Sequence, residues 1–93
     1  MRVGVIGLAG VGRTHVSKWS KIAESVSICD PNPTVLAQIT KSYQINGYTN
    51  VEQMLETENL QAISIFTPPK SHLSITRQSA ARGIHVFHEN SDL

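Results

Sequence analysis

Gly7 and Gly12 bracket a short loop between an apolar run and an amphipathic stretch, and this loop limits the fold more than any other feature of the chain. Residues 2–6 have the β-rich, apolar character of a buried strand, and a helical pattern begins near Val11. Between them, Gly7-Leu8-Ala9-Gly10-Val11-Gly12 follows the spacing G-x-G-x-x-G, with alanine in the middle position. In that pattern the first glycine permits a tight turn and the second lets backbone approach a pyrophosphate. The third allows close packing of helix on strand, and the phosphate rests on the helix N-terminus. A plain strand-to-helix turn with no ligand needs the outer glycines equally, so they establish the turn before they establish a ligand. Ala9 carries the open question. If its position requires positive φ, the methyl costs about 1–2 kcal/mol. If it requires only room, Ala9 is expected to weaken ligand binding without abolishing it.

The rest of the chain alternates in the same way, which predicts a parallel sheet covered by helices on both faces. A helix is expected from Val11 to Ala23, burying Val16, Trp19 and Ile22. A strand follows over 24–29, stopped by Asp30-Pro31-Asn32-Pro33. Pro33 suits the first turn of a second helix reaching about Ser42, with Val35, Leu36, Ile39 and Tyr43 inward. A turn at Gly47 and a very short strand at Tyr48-Thr49 precede Asn50, placed as an N-cap for a brief helix carrying Val51, Met54 and Leu55. Ala62–Phe66 is continuously apolar, as expected of a strand buried on both faces. Thr67-Pro68-Pro69 ends it, and a helix over Ser71–Ala81 closes at Gly83. The last strand is expected over His85–Glu89. One domain over residues 1–93 results, with five strands, four helices and right-handed crossovers.

Composition narrows the function. Hydrophobic residues make up 40% and charged residues 16%, a globular balance. The net charge of +1, with Lys and Arg scattered along the chain, argues against nucleic acid as a partner. No apolar run reaches the roughly 20 residues of a membrane span, and the N-terminus lacks the features of a signal peptide. A cytoplasmic protein is expected. Cys29 is the sole cysteine and reads as a small buried hydrophobe rather than a nucleophile. The four histidines show no spacing suited to a metal site.

Asp30 ends the second strand, 18 residues after Gly12. A carboxylate there accepts hydrogen bonds from the ribose hydroxyls of an adenosine and repels a 2′-phosphate, which favours NAD over NADP. Aspartate before proline is also a common turn opener, and both roles are compatible. No Lys or Arg follows Asp30 within ten residues to receive a phosphate.

These residues together resemble the N-terminal domain of the glucose–fructose oxidoreductase and inositol dehydrogenase family, Gfo/Idh/MocA. The resemblance rests on Val3-Gly4-Val5-Ile6-Gly7, Gly12-Arg13-Thr14-His15 and Cys29-Asp30-Pro31-Asn32-Pro33. Tyr48-Thr49, Thr67-Pro68-Pro69 with His72, and His85-Val86 leading to Glu89 extend it over essentially the whole chain. It implies a Rossmann-type, doubly wound parallel sheet in the order 3-2-1-4-5. It also implies an NAD site built from Gly7, Ala9, Gly10, Val11, Gly12, Asp30, Thr67, Pro68, Pro69, His72 and Glu89, with no metal. His72 reads equally well as a helix N-terminal residue with one wet face. His15 and His88 read as ordinary helix and strand residues.

Two departures from the family pattern bear on activity. The family usually follows its fifth strand with Glu-Lys-Pro, and the lysine helps position nicotinamide and substrate. Here Glu89-Asn90-Ser91 stands instead, and Asn90 has no ammonium with which to donate a proton. Family enzymes also continue into further strands and a substrate domain. The expectation is therefore a truncated nucleotide-binding domain that is not catalytic alone. The alternative is a stand-alone NAD-binding or protein-interaction module, and a fold that has lost its ligand is a third reading. An unpaired final strand is expected to favour a homodimer through that edge or the neighbouring exposed face.

Overall fold

In the computed structural model, which describes residues 1–88, the elements run β1 (Arg2–Ile6), α1 (Val11–Ile22), β2 (Ser25–Cys29), α2 (Pro33–Tyr43), β3 (Asn46–Tyr48), α3 (Val51–Thr57), β4 (Ala62–Ile65), α4 (Pro69–Ala81) and β5 (His85–His88). The strands form one parallel sheet in the order β3-β2-β1-β4-β5, as the family resemblance implies. β1 is central: Val3 is flanked by Val26 and Ala62, and Ile6 by Cys29 and Ile65.

Alternation along each strand divides the core into two layers. Val5, Val26 and Ile28 meet Val16 of α1 and Leu36 and Ile39 of α2 on one face. Ile6, Cys29, Ile63 and Ile65 meet Met54 and Leu55 of α3 and Ile75 of α4 on the other. Because both faces are covered, β1 and β4 at the centre of the sheet are largely apolar. The one polar side chain at the centre of β4, Ser64, is fully buried and accepts a bond from Trp19 Nε1 at 3.1 Å. That bond lets the indole lie against the sheet with its N–H satisfied.

Local chemistry sets the helix ends. Asn32 caps α2 by accepting from the amides of Thr34 and Val35, with Pro33 in the first turn. Asn50 caps α3 through the Gln53 amide, at the position the sequence assigns. Gly83 turns the chain out of α4 at φ 71°.

Several expectations are corrected. Ile22 is 76% exposed rather than inward, because two three-residue steps from Val16 fall about 120° short of two full helical turns. Tyr43 at the end of α2 is also largely outside the core, at 38%. Gly47 lies within β3 instead of a preceding turn, and the strand runs over 46–48. A Cβ at Gly47 would stand 2.6 Å from Thr40 Cγ2 and 2.9 Å from Leu36 Cδ1, so α2 can cover β3 only where no side chain intervenes. α1 ends at Ile22, β4 at Ile65, and α4 starts at Pro69, two residues before Ser71. Pro69 fits there because the first helical residue needs no N–H. Glu89, expected to end the last strand, lies outside the described residues.

Candidate functional site

The site begins where β1 gives way to α1. Gly7 has φ 91°, and a Cβ there would meet the Phe66 carbonyl carbon and the Thr67 nitrogen at 2.9 Å each. Glycine is therefore required at this point both for conformation and for space. Gly12 is held more tightly still, since its Cβ would lie 1.8 Å from the Gly7 carbonyl oxygen. The third glycine thus packs helix directly on turn, as the fingerprint demands.

Positive φ in this loop falls on Gly7 and on Gly10, the N-cap of α1 at φ 63°, and not on Ala9. This resolves the question left by the sequence: Ala9 is unstrained, and its exposed methyl matters only for the room it occupies. α1 has no side-chain cap and no acidic residue in its first turn. Its leading amides, beside exposed Ala9, Gly10 and Val11, are thus available to an anion at the positive end of the helix.

Asp30 follows β2 and is 8% exposed. Its Oδ2 accepts the Leu8 amide and its Oδ1 the Asn32 amide, each at 2.8 Å. The turn-opening role is thus present, and a second role appears that the sequence did not disclose: the carboxylate ties the end of β2 to the glycine loop. Each carboxylate oxygen has a second acceptor site, so these bonds leave capacity for a ligand hydroxyl.

Next to this loop a cleft of about 310 Å³ opens at the C-terminal ends of β1, β2 and β4. Ile6 and Cys29 are at its base, with Pro31 and Thr49 on one wall and Thr67, Ser71 and Gln78 on the other. The switch point of the topology lies here, between β1 and β4, where the chain leaves β1 toward β2 and leaves β4 in the opposite direction toward β5, and where open α/β sheets bind ligands. Cys29, read as a buried hydrophobe, is 2% exposed, and its thiol is pushed up to about 11 by burial and by the negative charge of Asp30. A protonated thiol of this kind is a wall, not a nucleophile.

The loop after β4 carries the remaining sequence-assigned residues. Thr67 lines the cleft, Pro68 and Pro69 are exposed, and half-buried His72 directs Nε2 to the Thr67 carbonyl at 2.7 Å. The Thr67 hydroxyl is buried and has no hydrogen-bond partner among the described residues. Glu89 lies outside them. The structure therefore gathers the glycine loop, Asp30 and Thr67 around one end of the sheet. Ser71, Ser74, Ile75 and Gln78 also line the cleft but were not assigned from the sequence. Their spacing, with three polar groups on one helical face, was the available signal. Among the described residues no three His, Cys, Asp or Glu side chains could hold a metal ion, and no helix is long and apolar enough to cross a membrane.

Comparison with known proteins bears on the fold and the family. UDP-N-acetylglucosamine 3-dehydrogenase of Acidithiobacillus ferrooxidans is 28% identical over 89 residues, which is 96% of this chain and 28% of that protein. Its crystal structure superposes with a TM-score of 0.86 over 97% of this chain and 29% of its own. D-apiose dehydrogenase of Paraburkholderia graminis is 30% identical over 83 residues, 86% of this chain and 22% of that protein. The fold also matches scyllo-inositol dehydrogenase of Lactobacillus casei, crystallised with NAD(H) and scyllo-inositol. That match has a TM-score of 0.86 at 20% identity and covers 97% of this chain and 28% of that one. The chain thus spans about a quarter of the length of these relatives. Residues 1–90 match the family described as "Oxidoreductase family, NAD-binding Rossmann fold", and the chain belongs to this Gfo/Idh/MocA family.

Proposed function

We propose that this chain binds NAD as the nucleotide-binding part of a Gfo/Idh/MocA oxidoreductase, with the described residues supplying binding rather than proton transfer. One observation carries the reading: an uncapped helix N-terminus, a buried aspartate and a cleft lie together at the switch point of the sheet. The residues fit the cofactor. Leading amides of α1, next to Gly10 and Val11, would hold the pyrophosphate, Asp30 the adenosine ribose, and the Thr67–Pro69 loop the cleft wall. NAD, when bound, supplies the hydride-accepting ring, and this chain's own contribution is to fix it in place. Cys29 in the cleft keeps its proton, and Asp30 beside it already accepts two amides. Neither is placed as a general base.

Asp30→Ser tests the assignment by titration calorimetry. The variant is expected to bind NAD at least about tenfold more weakly and to lose preference for NAD over NADP. A variant binding NAD as tightly as the parent would overturn the ribose assignment.

A second reading, a stand-alone NAD-binding or interaction module, is favoured by Asn90 at the position where the family usually has lysine. In either case the reading is of a cytoplasmic protein. We also propose that β5, at the sheet edge among the described residues, pairs with a second copy. Light scattering at micromolar concentration is expected to give a dimer mass, and a monomer mass would contradict the pairing.

A further inference from the structure

We propose that His72 is a positioning residue for the nucleotide cleft: it holds the Thr67 carbonyl and thereby sets where the Thr67 hydroxyl stands. This rests on the NAD reading above. Pro68 and Pro69 have no N–H, so the chain after Thr67 offers no nearby turn donor until Lys70. The first loop bond beyond the prolines runs from the Ser71 amide to the Pro68 carbonyl at 3.0 Å and leaves Thr67 out. His72, in the first turn of α4, reaches back five residues and closes the gap at 2.7 Å. A carbonyl only accepts, so Nε2 carries the proton.

The side chain of Thr67 makes the consequence specific. Thr67 lines the cleft, and its hydroxyl is buried with no partner among the described residues. Buried hydroxyls are normally bonded, and a ligand hydroxyl or phosphate oxygen in the cleft is the partner this one lacks. With the Thr67 backbone held by His72, the hydroxyl is presented at a fixed position. Without that bond, a segment with two prolines and few internal hydrogen bonds is free to shift the group away.

The test is a double-mutant cycle read by equilibrium NAD binding. His72→Ala and Thr67→Val are each expected to weaken NAD about 5- to 10-fold, and the double variant no further than either alone. His72→Gln, whose amide nitrogen reaches the same point as Nε2, is expected to restore most of the affinity, and His72→Asn is not. Amide exchange at Thr67, Lys70 and Ser71 in the ligand-free protein should quicken in His72→Ala and return in His72→Gln. Independent losses in the double variant, or no rescue by glutamine, would overturn the proposal. If the parent binds no NAD, the nucleotide reading fails by itself. Unchanged loop exchange in His72→Ala would then overturn the positioning role as well, and quickened exchange would sustain it.

Discussion

At Gly12 no other residue fits, because an added Cβ would lie 1.8 Å from the carbonyl oxygen of Gly7 in a turn that is itself enclosed by Phe66 and Thr67. Gly12→Ala is expected to cost more than about 4 kcal/mol and to leave little folded protein, as judged by circular dichroism and soluble yield. Gly10→Ala makes an informative contrast. Its Cβ would meet nothing within 4 Å, yet φ is 63° with ψ −118°, so the cost is conformational alone, about 1–3 kcal/mol in urea denaturation. Ala9→Gly should act the other way on binding. Ala9 is unstrained, so the ligand-free protein loses about 0.5–1 kcal/mol to added chain entropy while NAD affinity rises. A gain of stability without ligand would show that the backbone at Ala9 is strained after all. Sequence spacing identified these glycines but could not say which carried positive φ, because the pattern encodes a turn and not its dihedral angles.

Elements were legible where a local signal sufficed. Asn50 as a cap, Pro33 at a helix start and Gly83 at a helix end all act within a few residues of themselves, and the Asn32 cap, equally local, was left unassigned. Periodicity misled where it was extended across α1 to Ile22, and it could not show that Gly47 sits in β3 under α2. That contact depends on how closely two elements approach, which no single element records. Ser79 belongs at this scale too. It is fully buried in α4 with a hydroxyl that has no partner among the described residues. Ser79→Ala removes an unpaired buried group and improves helix propensity, and should stabilise the fold by about 1 kcal/mol in chemical denaturation. Destabilisation would mean that the hydroxyl has a bonding role.

For the molecule as a whole, two groups set the alkaline limit. Burial and Asp30 push Cys29 from 9.0 up to about 11, and the hydrogen bond to Glu58, with burial and its charge, pushes Tyr48 from 10.0 up to about 12. Both lose their protons more readily in the unfolded chain, so their contribution is complete below about pH 9 and disappears as pH rises toward 12. Melting temperature should therefore fall through this window. Cys29→Ala should flatten the lower part of the fall and Tyr48→Phe the upper part, in scans taken at intervals of half a pH unit. The parallel sheet and the glycine loop were readable from alternation and one motif, whereas the strand order came from the family resemblance, because periodicity does not encode which strands pair. The hydrogen bond from the Leu8 amide to Asp30 and the reach of His72 to Thr67 were not readable, since they join groups that only the folded turn brings together.

The central claim is that this end of the sheet binds NAD, and thermal unfolding of the unmodified chain with and without NAD, alongside NADP, tests it most directly. Ligand at about 100 times its dissociation constant stabilises by about 2.7 kcal/mol, and each kcal/mol moves the midpoint of a domain this size by about 4–8 °C. The account predicts a rise of about 10 °C or more with saturating NAD and a smaller one with NADP. No rise with either nucleotide would contradict it.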